Sequence, residues 1–239
     1  MRKVAVITGG AVRVGRAVAL HLARHGYDLL VTYLTSEAPA RSLAAECAKF
    51  NAKCELLRCD LRNPDAAEII SRKHHDTFPG QLHLLLHNAS LFPAAKLEDS
   101  TSELMATLMQ VHVITPQLLT ARLAAPLRAS SGCVIAMADG VEGKGYLRYP
   151  AYAASKAALL SLTRSWALAL APDARANAIA PGAVLWPQDT PDTEKARFLE
   201  RVPLAREGTP QDIANAVWFL AEEAPYITGT VLPVDGGLR

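Results

Sequence analysis

Cysteine is scarce in this chain and follows no pattern. The four cysteines, Cys47, Cys54, Cys59 and Cys133, form no CxxC pair, and the seven histidines show no HExxH-like spacing. Buried free thiols are therefore expected, rather than a metal site or a disulfide framework. Neither sign of charge is in excess: 25 Lys+Arg against 23 Asp+Glu leave +2, so nothing advertises nucleic acid or an anionic membrane as a partner. Apolar runs are short, and none approaches the ~20 residues of a membrane span. Met1-Arg2-Lys3 leads into Val4-Ala5-Val6-Ile7, a run too short for a signal peptide's apolar core and stopped by Gly9-Gly10. A mature, cytoplasmic N-terminus is expected. Linker-like tracts, internal repeats and low-complexity blocks are also missing, so residues 1–239 are expected to form a single domain.

What is present is a large apolar fraction, 50% against 20% charged residues, which suits a soluble protein with a substantial core. Short apolar runs alternate with helix-length amphipathic segments. The predicted strands are Val4–Thr8, Leu29–Tyr33, Cys54–Cys59, Leu82–His87, Cys133–Ala138, Ala174–Ala180 and Val231–Val234. The predicted helices are Gly15–His25, Pro39–Asn51, Pro64–His75, Thr101–Leu127, Ala151–Leu170 and Pro210–Glu222. The strand runs are continuous rather than alternating, as expected of parallel strands covered on both faces. The fold class is thus α/β, a doubly wound parallel sheet of about seven strands with helices on both sides. The one long irregular tract, Pro181–Pro191 with prolines at 181, 187 and 191, reads either as a mobile substrate lid at the carboxyl edge of the sheet or as an ordinary surface loop.

The first strand ends in Thr8-Gly9-Gly10-Ala11-Val12-Arg13-Val14-Gly15, and helical periodicity follows at once. Glycine lets the backbone turn sharply and approach a pyrophosphate, while the helix N-terminus offers unpaired N–H groups to its charge. Between a first strand and a first helix, this turn points to dinucleotide binding. Arg13 stands where the usual fingerprint has glycine; its guanidinium reads as a cation for phosphates or an anionic substrate edge, or as an exposed helix-start arginine. No acid appears before Glu37 at the end of the second strand, where Thr35 and Ser36 supply hydroxyls. An NAD-selective site would place Asp or Glu there, so NADP(H) is favoured. Asp60 and Leu61, after the third strand, suit an adenine edge, with helix capping the rival role for Asp60.

Tyr152 and Lys156 lie four residues apart on a predicted helix and share one face. A phenol titrating near 10 is a poor acid until a nearby ammonium stabilises its phenolate, so Lys156 is expected to lower the Tyr152 pKa. Paired in this way, Tyr152 can donate a proton while a nicotinamide donates hydride.

Five motifs in order, Thr8-Gly9-x3-Arg13-x-Gly15, His87-Asn88-Ala89-Ser90, Tyr152-x3-Lys156, Asn177-Ala178-Ile179-Ala180-Pro181-Gly182, and Thr228-Gly229 with Val234-Asp235-Gly236-Gly237, resemble the short-chain dehydrogenase/reductase family. The resemblance spans essentially the whole chain. It implies a Rossmann-type domain, hydride transfer with NAD(P)H, homotetramers or homodimers formed through Thr101–Leu127 and Ala151–Leu170, and cofactor contacts from Thr8, Gly9, Arg13, Val14, Gly15, Asn88, Ala89, Ser90, Pro181, Gly182, Tyr152 and Lys156. Three departures, Arg13 for glycine, Ser90-Leu91-Phe92-Pro93 for the usual glycine, and Asp139 thirteen residues before the tyrosine where serine is usual, look like the pteridine reductase branch, which includes bacterial dihydromonapterin reductases that can also reduce dihydrofolate. That branch would have Phe92 stack on a pterin, with core filling as its alternative, Arg13 touch pyrophosphate and pterin, and Asp139, Tyr152 and Lys156 form the catalytic set. His112 stands where the family usually has a relay asparagine, as a relay or as a structural histidine.

Physical chemistry agrees with that branch. Carbonyl reduction develops an oxyanion that wants two hydroxyl donors, whereas an ionised Asp139 only accepts hydrogen bonds. It suits a substrate that presents N–H groups and is protonated on a ring nitrogen. Asp139 also reads as a residue that orients Tyr152, as an acid held protonated in a partly dry pocket and itself donating, or as a loop aspartate capping the turn at Gly140. The expected activity is NADPH-dependent reduction of a dihydropterin or dihydrofolate. The alternatives are a 3-oxoacyl or sugar carbonyl reductase and a catalytically silent nucleotide-sensing protein on the same fold.

Overall fold

A strand covered on both faces can be apolar at every position, and the runs of this chain are used in that way. The computed structural model describes residues 2–139, 146–186 and 190–238. Among these, seven parallel strands form one sheet in the order β3-β2-β1-β4-β5-β6-β7. They are β1 (Lys3–Ile7), β2 (Tyr27–Tyr33), β3 (Cys54–Arg58), β4 (Leu84–His87), β5 (Cys133–Met137), β6 (Arg175–Pro181) and β7 (Val231–Val234).

Alternate residues of each strand enter separate cores. Val4, Val6, Leu85 and Val134 face α3 (Ala66–Thr77), α5 (Thr115–Arg122) and α7 (Pro150–Leu170), meeting Ile70, Leu119, Leu159 and Trp166. Ala5, Ile7, Leu84 and Ile135 face α1 (Arg13–Arg24), α2 (Glu37–Ala48) and α9 (Pro210–Trp218), meeting Leu22, Leu43, Ile213 and Val217. Each large aliphatic side chain buried in this way contributes about 1.5–3 kcal/mol. The chain runs outward from β1 to β3 and returns to place β4 on the other side of β1. Such a reversal opens a crevice at the carboxyl ends of β1 and β4, where open α/β sheets bind ligands.

The predicted elements differ from those observed mainly by a few residues at their ends, with two larger corrections. The single helix expected over Thr101–Leu127 is instead α4 (Ser102–Met109), a π-helical turn over Gln110–Ile114, α5, and α6 (Ala124–Ala129). Pro116 has no N–H for the carbonyl of His112, four residues back, and its ring crowds that carbonyl; the wider turn accommodates both. Thr115 Oγ1 then accepts from Gln110 Nε2 at 3.0 Å and donates to the Leu61 carbonyl at 2.9 Å. The second correction is α8 (Asp192–Leu199), a helix with no buried residue and so no apolar stripe for periodicity to detect. It follows Pro191 directly. Of the tract read as a lid or loop, Pro181 closes β6, and residues 187–189, with Pro187, lie outside the described residues.

The run Ser102–Arg122 is also long and apolar enough to cross a membrane by length and composition, which the shortness of the apolar runs did not suggest. Gln110, His112 and Gln117 interrupt the run without lowering its average enough. The core helix of a soluble protein passes the same test, and this segment packs on α3 and α7.

Gly15, in the first turn of α1, is where the turn after β1 and the end of β4 come closest. A Cβ there would lie 2.6 Å from Asn88 Nδ2 and 2.7 Å from the Gly9 carbonyl oxygen. Gly15→Ala is expected to lower the urea unfolding midpoint by the equivalent of about 1–3 kcal/mol. An unchanged midpoint would mean that the turn relaxes freely.

Candidate active site

The turn after β1 is tied down by its neighbours rather than by its own residues. Asn88 Nδ2 donates to the carbonyls of Thr8 and Gly9, both at 3.0 Å. Thr8 Oγ1 accepts the backbone N–H groups of Asn88 at 3.0 Å and Ala89 at 3.1 Å. Gly9 has φ +63°, and a Cβ on it would lie 2.9 Å from Ala89 Cα, so the close approach of the two segments requires glycine. Arg13 also takes a left-handed φ, +53°, the conformation that glycine adopts freely at this place in the usual fingerprint; an L-residue pays about 1–2 kcal/mol for it. Its Nη2 donates to the Leu185 carbonyl at 2.7 Å.

A cavity of about 470 Å³ opens over this turn. Of the predicted cofactor contacts, Gly9, Arg13, Val14, Gly15, Asp60, Leu61, Asn88, Ala89 and Ser90 line it, whereas Thr8, Thr35, Ser36, Tyr152, Lys156, Pro181 and Gly182 do not. Thr8 is buried, and its hydroxyl accepts from the end of β4. The lining at the end of β2 is Tyr33 and Leu34, so the hydroxyls of Thr35 and Ser36 stand beyond it. Asp60 is no helix cap: α3 begins at Ala66 after Asp65. Its carboxylate instead accepts from the Arg62 side chain and backbone N–H, and Arg62 holds the Asp60 pKa below the usual carboxylate value. Arg62 lines the cavity beside it and was missed; the Asp60-x-Arg62 spacing was its only trace.

Beyond Ser90 lies the phenol. Asp139, just after β5, and Tyr152, on the first turn of α7, meet as expected: Tyr152 Oη donates to Asp139 Oδ2 at 2.9 Å. Tyr146, which the sequence reading missed, donates its phenol to Asp139 Oδ1 at 2.5 Å. Both phenols titrate well above the ordinary tyrosine value. Burial is the largest cause, and the negative charge and hydrogen bond of Asp139 add to it. The expectation that Lys156 lowers the Tyr152 pKa is therefore corrected. Lys156 Nζ donates to the Met137 carbonyl at 2.7 Å and lies 5.6 Å from the centroid of the Tyr152 ring, so the carboxylate acts on the phenol from closer range. Burial pushes the Lys156 pKa down to about 8, with Asp139 opposing.

Phe92 is 47% exposed. Its ring stacks on Tyr149 with centroids 4.1 Å apart and planes 12° apart, and it meets Tyr152 edge-on at 4.6 Å. Its core-filling alternative is set aside by that exposure. His112 is buried in the π-helical turn, next to Ser90 and Ser155.

A doubly wound sheet, a glycine turn at its crossover and a buried phenol–lysine pair define a nucleotide-dependent oxidoreductase. The chain belongs to the short-chain dehydrogenase/reductase family and is an NAD(P)-dependent oxidoreductase of that type. A family model described as enoyl-(acyl carrier protein) reductase matches residues 10–239. The L-rhamnose 1-dehydrogenase (NAD(P)(+)) of Sphingomonas sp. (strain SKA58) is 30% identical, over 99% of this chain and 96% of the relative. A dihydromonapterin reductase of Escherichia coli (strain SMS-3-5 / SECEC) is 31% identical, over 97% and 95%. Among solved structures, a blue fluorescent protein from a metagenomic library, in complex with NADPH, superposes with a TM-score of 0.91 at 28% identity, covering 99% of this chain and 98% of that one.

Lys156 gives a pH test of the site. Unfolded, it holds its proton up to about 10.5; folded, only to about 8. Between those values unfolding takes up a proton, so stability rises with pH, and below about 8 the folded state bears the whole cost of the buried ammonium. Lys156→Met is expected to unfold at higher urea than the parent at neutral pH, by about 1–3 kcal/mol, with the difference shrinking toward pH ~10. A variant less stable than the parent at neutral pH would contradict this.

Proposed function

We propose that the chain uses NADPH to reduce a dihydropterin or dihydrofolate at a ring C=N bond. When bound, NADPH supplies the hydride for the ring carbon. The cavity fits a dinucleotide phosphate: the first turn of α1 contains no acid and its preceding residue makes no side-chain cap, Gly9 and Gly15 leave no Cβ in the way, and Arg13 and Arg62 bring positive charge to the lining. The missing acid at the end of β2 supports NADPH over NADH. The NADPH carried by the metagenomic blue fluorescent protein supports the same assignment.

The carrying observation is Asp139 facing Tyr152 at 2.9 Å. The two curated relatives are about equally similar to this chain, so overall identity does not choose a substrate, and the residue at 139 is what supports the pterin reading. A carbonyl oxygen gaining charge needs donors, and a carboxylate offers none. An aminopyrimidinone ring offers N–H groups to Asp139. Once such a group takes the place of the Tyr152 hydroxyl on Oδ2, the phenol is free to give its proton to the ring nitrogen. Phe92 supplies an exposed aromatic face beside Tyr152 for a flat heterocycle. Copies of the chain pair through the 102–122 helical run and α7, a reading supported by exposed Ile114, Leu118 and Leu168.

The test is NADPH consumption with dihydromonapterin, dihydrobiopterin, dihydrofolate and a 3-oxoacyl thioester compared side by side. Turnover is expected with a pterin or folate, and a preference for the thioester would refute the reading. Asp139→Ser is expected to abolish most pterin turnover while NADPH still binds. Full turnover by that variant would remove Asp139 from the mechanism. Phe92→Ala is expected to raise the pterin KM by the equivalent of about 1–3 kcal/mol of lost stacking, and an unchanged KM would dismiss the stacking role.

A further inference from the structure

His112 has all its hydrogen-bonding capacity committed, and the commitments define its protonation. Nδ1 lies 2.8 Å from Ser155 Oγ. Ser155 gives its own hydroxyl proton to the Tyr152 carbonyl at 2.7 Å, so toward His112 it can only accept, and Nδ1 carries the hydrogen. Nε2 accepts the backbone N–H of Leu91 at 3.1 Å, a group that can only donate. Two independent partners thus select the same neutral tautomer. Burial and the nearby Lys156 ammonium, which push the His112 pKa down to about 2, keep it neutral.

Ser90 Oγ lies 3.0 Å from the same Nε2, on an imidazole that meets the Tyr152 ring edge-on with centroids 5.7 Å apart, and from there it acts to lower the Tyr152 pKa. Its one proton can serve either partner. Nε2 remains satisfied by Leu91 when the Ser90 hydroxyl turns away, so the turn leaves no buried acceptor bare. On the other side of the Tyr152 oxygen stands Asp139, which as a carboxylate can only accept, and Lys156 Nζ is engaged by Met137.

We infer that Ser90 is a catalytic residue that donates to the Tyr152 phenolate as it forms, and that His112 is the positioning residue that holds Ser90 ready. The inference rests on the proposed role of Tyr152 as proton donor. As the Tyr152 O–H bond breaks and the substrate N–H bond forms, the electron pair stays on the phenol oxygen. The Ser90 hydroxyl, its own bond intact, turns from Nε2 to that oxygen. No proton crosses His112: its Nδ1–H leads to Ser155, whose hydroxyl ends on a helix carbonyl with no exit. The π-helical turn set by Pro116 carries His112 at this position.

The test has two arms. In protein labelled with 15N-histidine, NMR distinguishes protonated from bare ring nitrogens, and His112 is assigned by the signal lost in His112→Asn. The Nδ1–H tautomer is expected at neutral pH; an Nε2–H tautomer or an imidazolium would overturn the inference. In the second arm, single-turnover rates at saturating NADPH are compared on whichever substrate the parent protein reduces. Ser90→Ala is expected to slow the reaction at saturating NADPH about 10–100-fold, the value of a hydrogen bond to a charged group, with most of the rate recovered by Ser90→Thr. A near-parental rate in Ser90→Ala, or a loss carried wholly by NADPH affinity, would overturn it. Turnover confined to a carbonyl substrate would sink the pterin reading and leave this comparison valid. With no turnover at all, the tautomer arm still decides.

Discussion

Four consecutive residues after β4 hold the two halves of the site together. Asn88 and the N–H of Ala89 bind the turn after β1, while Ser90 and the N–H of Leu91 bind His112. Parallel pairing sets Ile7 against Leu86, so both strands end at one level and their following residues meet over the same edge. The glycine turn is held from two sides, by Asn88 after β4 and by Thr32 of β2, which accepts the N–H groups of Gly9 and Gly10. The His112 ring that Ser90 and Leu91 hold meets the Tyr152 ring edge-on, so this short segment borders the glycine turn on one side and the phenol's surroundings on the other.

Much of this was legible in the sequence where the informative spacing is local. Continuous apolar runs report strands covered on both faces, and Tyr152 with Lys156 four residues later reports a shared helical face. Asp139 was found through its distance from Tyr152. What stayed hidden depends on contacts between remote elements. His112 reaches Ser90 and Ser155 across three separate elements, and its tautomer follows from where Ser155 sends its own proton. Tyr146 and Tyr149 belong to an aromatic cluster that no periodicity marks. The Lys156 expectation failed for a related reason: a shared face does not report that Nζ is drawn to Met137 while a carboxylate takes the phenol. Thr35 and Ser36 were chosen by position along β2, but the cavity stops one residue short of them.

Arg13 shows how the chain departs from a permissive fingerprint at a definite cost. The backbone there keeps the left-handed turn that glycine would adopt without strain. The side chain that strains it reaches Leu185, at the edge of the tract that follows β6. Strain of this kind persists where the surroundings over-determine the conformation. Here the surroundings are Gly15 packed on Asn88 and a turn already tied to β4. The gain is a guanidinium linking the glycine turn to the segment that follows β6.

The two phenols on Asp139 bear on substrate choice as well as on protonation. With Tyr146 on Oδ1 and Tyr152 on Oδ2, Tyr152 must leave a strong charge-assisted hydrogen bond before it can act. On the proposed reading, a keto group brings Asp139 no hydrogen in exchange for that of the phenol. A ring edge bearing N–H groups makes the exchange at nearly even cost, and it releases the phenol beside the nitrogen to be protonated. Discrimination of this sort, through buried polar groups that the wrong ligand leaves unpaired, is far stronger than discrimination by shape in an apolar pocket. In the proposed reaction the carboxylate that raises the Tyr152 pKa is thus also the group that admits the substrate, and Ser90 offsets that rise only at the moment the phenol gives up its proton.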